Sequence, residues 1–232
     1  MEIIKELQKL ASPEKAKFAD RFFKTGKGEY GKGDHFLGIV VPETRKISKK
    51  YKNISLPKIE TLLDNKFHEA RLCALLILVQ KFPKEPEKIY KFYLKNSAKI
   101  NNWDLVDSSA DKIIGAYLYS KPSQKTILYK LVKSKNIWER RIAILSTFYF
   151  IRKNEFDDAL KISELLLNDS HDLIHKAVGW MLREIGKRDI ASEEAFLKKF
   201  ASKMPRTMLR YAIERFPEAK RLSYLKTKQT HD

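Results

Sequence analysis

Hydrophobic and polar residues alternate along this chain with the period of a helix nearly everywhere. Ile3, Ile4, Leu7 and Leu10 recur at helical spacing. Ser12-Pro13 followed by Glu14 then restarts a second helix, expected to run to about Lys24. From Thr25 to Gly38 the pattern breaks, and five of the eight glycines fall in that stretch, which reads as a loop. A third helix opens at Pro42, with Ile47 and Tyr51 on one side and Arg45, Lys46, Lys49 and Lys50 in the rest of its length. Strand signals are nearly missing, because there is no Asn-Gly or Asp-Gly hairpin turn and the apolar positions do not alternate.

After the third helix the chain repeats itself. Aligning His68-Glu-Ala-Arg71, Trp103-Asp-Leu-Val106, Trp138-Glu-Arg-Arg141, Asp172-Leu-Ile-His175 and Thr207-Met-Leu-Arg210 gives spacings of 35, 35, 34 and 35 residues. In this register Cys73, Ser108, Ala143, Ala177 and Ala212 form a column of small side chains suited to close helix approach. Each start is preceded by another helical stretch, at about 56–64, 86–98, 123–134, 155–167 and 192–203. The expectation is an all-α, HEAT-like solenoid of about five helix pairs behind three N-terminal helices. It is expected to be one domain over 1–232, with N-terminal helices in 1–52, the glycine-rich loop at 25–38, repeats over 55–216 and a tail at 217–232.

Composition narrows the partners. With 232 residues and 43% hydrophobic content the chain can bury a sizeable core. Its formal charge of +18, from 47 Lys plus Arg against 29 Asp plus Glu, attracts polyanions, and nucleic acid is the first to consider. A basic surface without a dedicated partner is the plainer alternative. The single cysteine, Cys73, excludes a disulfide framework and every CxxC zinc site. The first twenty residues mix charge into a helical period rather than forming a signal peptide, and the best apolar run, Leu72 to Val79, is far too short to span a membrane. A soluble, cytoplasmic protein is expected.

The repeat register also orients side chains. At about 100° per residue from each repeat start, Trp103 (about 0°), Asp107 (about 40°), Trp180 (about 80°) and Arg141 (about 300°) share one arc, while the apolar row Ala70, Leu105, Ile174 and Leu209 lies on the core side at about 200°. Second helices of successive pairs line one surface of a solenoid, so these four residues are expected to meet on one groove. Arg71, Arg141 and Arg210 form a basic row there with His175 among them, whereas Arg140 falls in the apolar row. Arg45 and Lys46 add a further cationic face on the third helix. The ordinary reading of Asp107 is a solvated acid beside a packing tryptophan. The chemical reading is sharper. A purine alkylated at N3 or N7 is already cationic and leaves without protonation, so one carboxylate suffices to stabilise the oxocarbenium-like sugar and orient water, where ordinary sugar hydrolases need two. The faces of Trp103 and Trp180 suit a cationic nucleotide.

Other constellations carry less. The lysines in the glycine-rich stretch lack the Gly-Lys-Ser/Thr of a phosphate-binding loop. His171 and His175 are four apart but have neither the HExxH glutamate nor a third ligand, and a helix start within Asp169 to Asp172 is the simpler reading. Cys73 sits among Leu72, Ala74 and Leu75 as a buried thiol, Ser108 and Ser109 lack a neighbouring histidine base, and Trp138 suits DNA stacking or repeat packing about equally.

The motifs WDLVD at Trp103 to Asp107, NIWERRIAIL at Asn136 to Leu145, KAVGWMLRE at Lys176 to Glu184 and HFLGIVVPETRK at His35 to Lys46 resemble the AlkD-type DNA glycosylases, HEAT-like proteins that excise N3- and N7-alkylpurines. The resemblance spans nearly the whole chain, although the glycine-rich loop before His35 is longer than in that family's well-studied members. It implies a monofunctional glycosylase of base excision repair, with Trp103, Asp107 and Trp180 in the catalytic cleft and Arg141 on the DNA backbone. It further implies a lesion that stays stacked in double-stranded DNA with alkylated bases, and no metal or organic cofactor; a monomer is expected. The alternative is a non-catalytic HEAT-like module that binds branched or damaged nucleic acid through the same groove; a protein-binding scaffold is a third.

Overall fold

A computed structural model of the chain describes residues 1–226, and among these every regular element is helical. They divide into two compact units, Met1–Ile113 and Ile114 onward. The first unit holds α1 (Glu2–Lys9), α2 (Pro13–Phe22), α3 (Val41–Lys50), α4 (Leu56–Leu63), α5 (His68–Lys81), α6 (Pro86–Lys95) and α7 (Trp103–Ala110). The second holds α8 (Ala116–Ser120), α9 (Thr126–Val132), α10 (Ile137–Ile151), α11 (Asp157–Leu165), α12 (Asp172–Gly186), α13 (Ile190–Phe200), α14 (Arg206–Ala212) and α15 (Glu218–Lys226).

The helical repeats follow the sequence register. The pairs α4/α5 and α6/α7 build the first unit, and α9/α10, α11/α12 and α13/α14 build the second. Ala70, Leu105, Ile174 and Leu209, the row assigned to the core side, are all fully buried. Polar side chains start the second helices: Asn102 accepts the N–H of Trp103 at 2.8 Å, Asn136 that of Trp138 at 2.9 Å and His171 that of Leu173 at 3.1 Å. The stretch expected as a tail carries α15 instead, and the order of the residues past Lys226 lies outside the described residues.

A buried ionic network fastens the first unit. The Asp34 carboxylate, at the end of the glycine-rich loop, accepts from His68 Nδ1 at 3.0 Å, from Asn102 Nδ2 at 2.9 Å and from an Arg71 guanidinium nitrogen. His68 Nε2 lies 2.7 Å from Asp104 Oδ2, so each ring nitrogen faces a carboxylate and the ring is held as an imidazolium. Burial opposes that charge, yet Asp104 and Asp34 outweigh it and push the His68 pKa up to about 9. Burial likewise works against the Asp34 charge, but His68 and Arg71 hold its carboxyl below the usual range. Beside the network, the buried Glu69 accepts the backbone N–H groups of Leu37, Gly38 and Ile39 at 2.8–3.1 Å. Gly38, at φ +79°, brings its Cα so near the start of α2 that a Cβ would stand 2.2 Å from the Ser12 carbonyl oxygen.

This network corrects one expectation. Arg71 was assigned to an exposed basic row, but it is 6% exposed, with Nη1 donating to the Asn65 carbonyl at 3.1 Å and Nη2 committed to Asp34. The loop ending at Asp34 covers the first turn of α5, and the register of the repeats alone does not account for that loop.

In the second unit, Arg140 pairs with Asp169 at 2.6 Å, and buried Glu193 of α13 fills the space that a side chain at Gly186 of α12 would take. Burial, with the charge of Glu194 added, pushes Glu193 up to about 8, and its Oε1 lacks a hydrogen-bond partner among the described residues.

Two stability profiles follow. Below its ordinary pKa of 6.5 the imidazolium contribution of His68 is complete, and it is lost as pH rises through about 9. His68→Gln, by breaking a buried pair, costs on the order of 3–5 kcal/mol at pH 6, and urea melts should show that gap narrowing by pH 9.5; a constant gap contradicts the buried imidazolium. Glu193 acts in a lower window: its proton is retained in the fold but given up by the unfolded chain, so stability falls as pH rises from about 4.5 to about 8. Glu193→Gln should raise stability at pH 7 by on the order of 2–3 kcal/mol and flatten melting temperature against pH, and an unchanged slope rules out this assignment.

Candidate functional site

The N-terminus of α7 carries the site. Asn102 caps the helix and also donates to Asp34, so the buried network fixes where α7 begins. Trp103 and Asp104 occupy its first turn, and Asp107 follows one turn later on the same face. Trp103, Asp104, Asp107, Ser108 and Lys112 line a cleft of about 470 Å³ together with Arg45, Ser48 and Lys49 from α3 and Leu76, Val79 and Gln80 from α5.

Each wall has a physical basis. The Trp103 ring stacks on Phe23 at 5.1 Å with planes 15° apart, and Phe22 meets it edge-on at 5.8 Å. Phe23 stacks in turn on Phe36 at 4.8 Å, and Phe36 on the His68 ring at 4.6 Å, so the indole belongs to a continuous aromatic pile ending at the imidazolium. Asp104 gives one carboxylate oxygen to that imidazolium, while Gln80 is steadied by donating to Ser48 Oγ at 3.0 Å and the Leu76 carbonyl at 2.9 Å. The cleft is therefore bipolar: Asp104 and Asp107 are half-buried, and Arg45, Lys49 and Lys112 are exposed. Such a site offers negative potential to a developing cation and positive charge to phosphates.

Of the residues singled out in the sequence, the cleft unites Trp103, Asp107 and Arg45. Lys46 stands outside it, pairing with Glu43 at 2.7 Å on the exposed side of α3. The rest of the predicted set belongs to the second unit. Trp180 is half-buried on α12, donating to Glu184 Oε1 at 3.3 Å beside the Phe148 ring. Arg141 was expected to face outward but is 5% exposed, donating from Nη1 to the Leu173 carbonyl at 2.5 Å at the start of the next repeat helix. Arg210 is exposed and lines a separate small hollow with Glu214 and Arg221. Trp138 is buried at 7% exposure, which decides for repeat packing. His175 Nε2 faces the Asp169 carbonyl, and His171 serves as the α12 cap.

The candidate set read from the sequence lacks Asp104, Lys112 and Gln80, and it names Lys49 only within the basic stretch of the third helix. A usable signal existed for two of these. Arg45 and Lys49 are one helical turn apart, so Lys49 and not Lys46 shares the face of Arg45, and Lys112 continues the turn-by-turn row of Asp104 and Ser108. As an acid in the first turn of α7, Asp104 has an ordinary structural reason to be there. Nothing local in the sequence announces its partner His68.

Comparison with known proteins follows the same lines. A family model described as DNA alkylation repair enzyme matches residues 3–216. No curated protein matches the sequence. Among solved structures, a predicted DNA alkylation repair enzyme from Enterococcus faecalis superposes with a TM-score of 0.74 at 22% identity, covering 90% of this chain and 97% of that one. AlkD2 from Streptococcus mutans gives 0.57 at 18% identity over 88% and 99%, and smu.31 from Streptococcus mutans UA159 gives 0.55 at 18% over 88% and 100%. At such identities the superpositions establish the fold, and among the described residues no helix is long and apolar enough to cross a membrane. The family match covers nearly the whole chain, and this protein belongs to the DNA alkylation repair enzyme family.

Proposed function

We propose that the chain is a monofunctional DNA glycosylase that hydrolyses the N-glycosidic bond of cationic N3- and N7-alkylated purines in duplex DNA, as a cytoplasmic monomer. The observation that carries this reading is the placement of Asp107 beside Trp103 in a cleft edged by Arg45, Lys49 and Lys112, in a chain of the DNA alkylation repair enzyme family.

The chemistry follows from the charge of the leaving group. An alkylated purinium takes the glycosidic electron pair and departs as a neutral base, so no enzyme acid has to protonate it. Positive charge then develops on the deoxyribose, where the Asp107 carboxylate stabilises it and orients a water molecule. The water oxygen bonds to C1′ and its proton passes to Asp107 or to solvent, leaving an abasic site. Trp103 offers an aromatic face to the cationic nucleotide. Arg45 and Lys49 hold backbone phosphates. Asp104, pinned by His68, adds a second fixed negative charge to the same cleft. Trp180 and Arg141 enter the proposal through the family resemblance alone, and contact between Arg141 and DNA would require its guanidinium to leave the Leu173 carbonyl.

Asp107→Asn should slow release of 7-methylguanine from alkylated duplex by about 10²–10³-fold while DNA affinity stays within about threefold. Parallel losses in rate and affinity would assign Asp107 to binding or folding instead. Arg45→Ala and Lys49→Ala should each lower the slope of log affinity against log salt by about 1, as read by titrations at several ionic strengths; an unaltered slope removes that residue from the phosphate contacts.

A further inference from the structure

Helix α2 buries none of its ten residues. Two phenylalanines stand out on it, Phe18 at 64% and Phe22 at 55% exposure, one turn apart with ring planes 14° from parallel and centroids 6.1 Å apart. Exposed apolar groups scattered singly need no explanation, but these are contiguous with one another and with the cleft. Phe22 meets the cleft tryptophan Trp103 at 5.8 Å, and Phe18 lines a neighbouring hollow of about 210 Å³ with Phe36, Ile39, Val40 and Val41.

The charge around the pair identifies its partner. Lys15, Lys17 and Arg21 on α2, with Lys24, Lys27 and Lys32 in the following loop, are all exposed, and none forms an ion pair with any described residue. Three acids, Glu14, Asp20 and Glu29, lie in the same stretch, and Glu29 is engaged by the Gly26 N–H at 2.9 Å. Aromatic faces set among unpaired cations are the ingredients of a single-strand nucleic-acid surface, in which bases stack and cations track the phosphates. The spacing is informative too. The near-parallel rings of Phe18 and Phe22 stand 6.1 Å apart, more than the roughly 3.4 Å rise of stacked bases, a spacing that suits a strand whose bases have come apart.

We propose that Phe18 and Phe22 form a stacking platform for unpaired nucleobases beside the Asp107 cleft, giving the protein a preference for DNA with a locally melted segment over fully paired duplex. The inference rests on the proposed function only in taking DNA as the occupant of the cleft.

The test uses the full chain and undamaged DNA, which separates it from base excision. Fluorescence anisotropy compares a paired duplex with the same duplex carrying a two-nucleotide bubble that contains 2-aminopurine, and vesicles of anionic phospholipid serve as a third ligand. The wild type should bind the bubble about tenfold more tightly than the duplex, since stacking contributes roughly a factor of ten per base, and should change the 2-aminopurine emission. Phe18→Ala should bring bubble affinity down to the duplex value while duplex affinity and melting temperature hold, because an exposed ring contributes little to folding. Phe18→Tyr should restore the preference. Equal wild-type affinities for bubble and duplex overturn the proposal, as does a Phe18→Ala variant that keeps its bubble preference or loses vesicle binding alone. An intact bubble preference without base release from alkylated duplex would sink the glycosylase reading and leave the platform standing.

Discussion

The first unit depends on one buried interaction, an imidazolium held between two carboxylates. His68 is 2% exposed and would lose its proton in an apolar interior, but Asp34 and Asp104 take one ring nitrogen each. The arrangement joins three pieces of chain distant in sequence: the end of the glycine-rich loop, the start of α5 and the start of α7. Arg71 balances the second carboxylate charge, and Asn102 ties the cap of α7 to the same Asp34 oxygen that meets His68. A buried ion pair is weak evidence for stability on its own, since desolvation offsets much of the attraction. Its consequence here is positional. The two side chains that begin α7, Trp103 and Asp104, each rest on the cluster, one through the aromatic pile and the other through the carboxylate.

Much of the fold was legible because repetition averages out local ambiguity. A period of 34 to 35 residues located five second helices to within a residue or two, and the buried row of Ala70, Leu105, Ile174 and Leu209 shows that the register was read on the correct face. The candidate cleft was legible where it obeys the repeat, in that Trp103 and Asp107 both line it. It was not legible where a non-repeating segment intrudes. Arg71 occupies the same register position as Arg210, yet one is sequestered under the loop that ends at Asp34 and the other is exposed. Arg141 is withdrawn for a different reason, because the carbonyl of Leu173 on the next repeat helix accepts from it. Register specifies direction from the helix axis; what lies in that direction is set by pairings across thirty or more residues.

The cleft also suits a particular division of labour. Half-buried carboxylates face an interior in which charge is poorly screened, and the exposed cations face solvent, where they act on a long anionic ligand at a distance. A neutral leaving group would need a proton donor, and the titratable side chains lining the cleft are the carboxyls of Asp104 and Asp107 and the cationic Arg45, Lys49 and Lys112. Under the proposed function, such a lining suits the departure of a group that is already positive. Asp104 adds to that preference, because its carboxylate faces the His68 imidazolium at 2.7 Å.

Selectivity for charge is thus the property that most directly tests the account. Single-turnover release of free base should be followed by mass spectrometry on duplexes containing either 7-methyl-2′-deoxyguanosine or the uncharged lesion 2′-deoxyinosine in the same sequence. Release of 7-methylguanine well above its spontaneous rate, with hypoxanthine release at background, is the predicted result. Comparable release of both bases, or of neither while DNA is bound, would contradict the central claim that this cleft expels a cationic base without an acid.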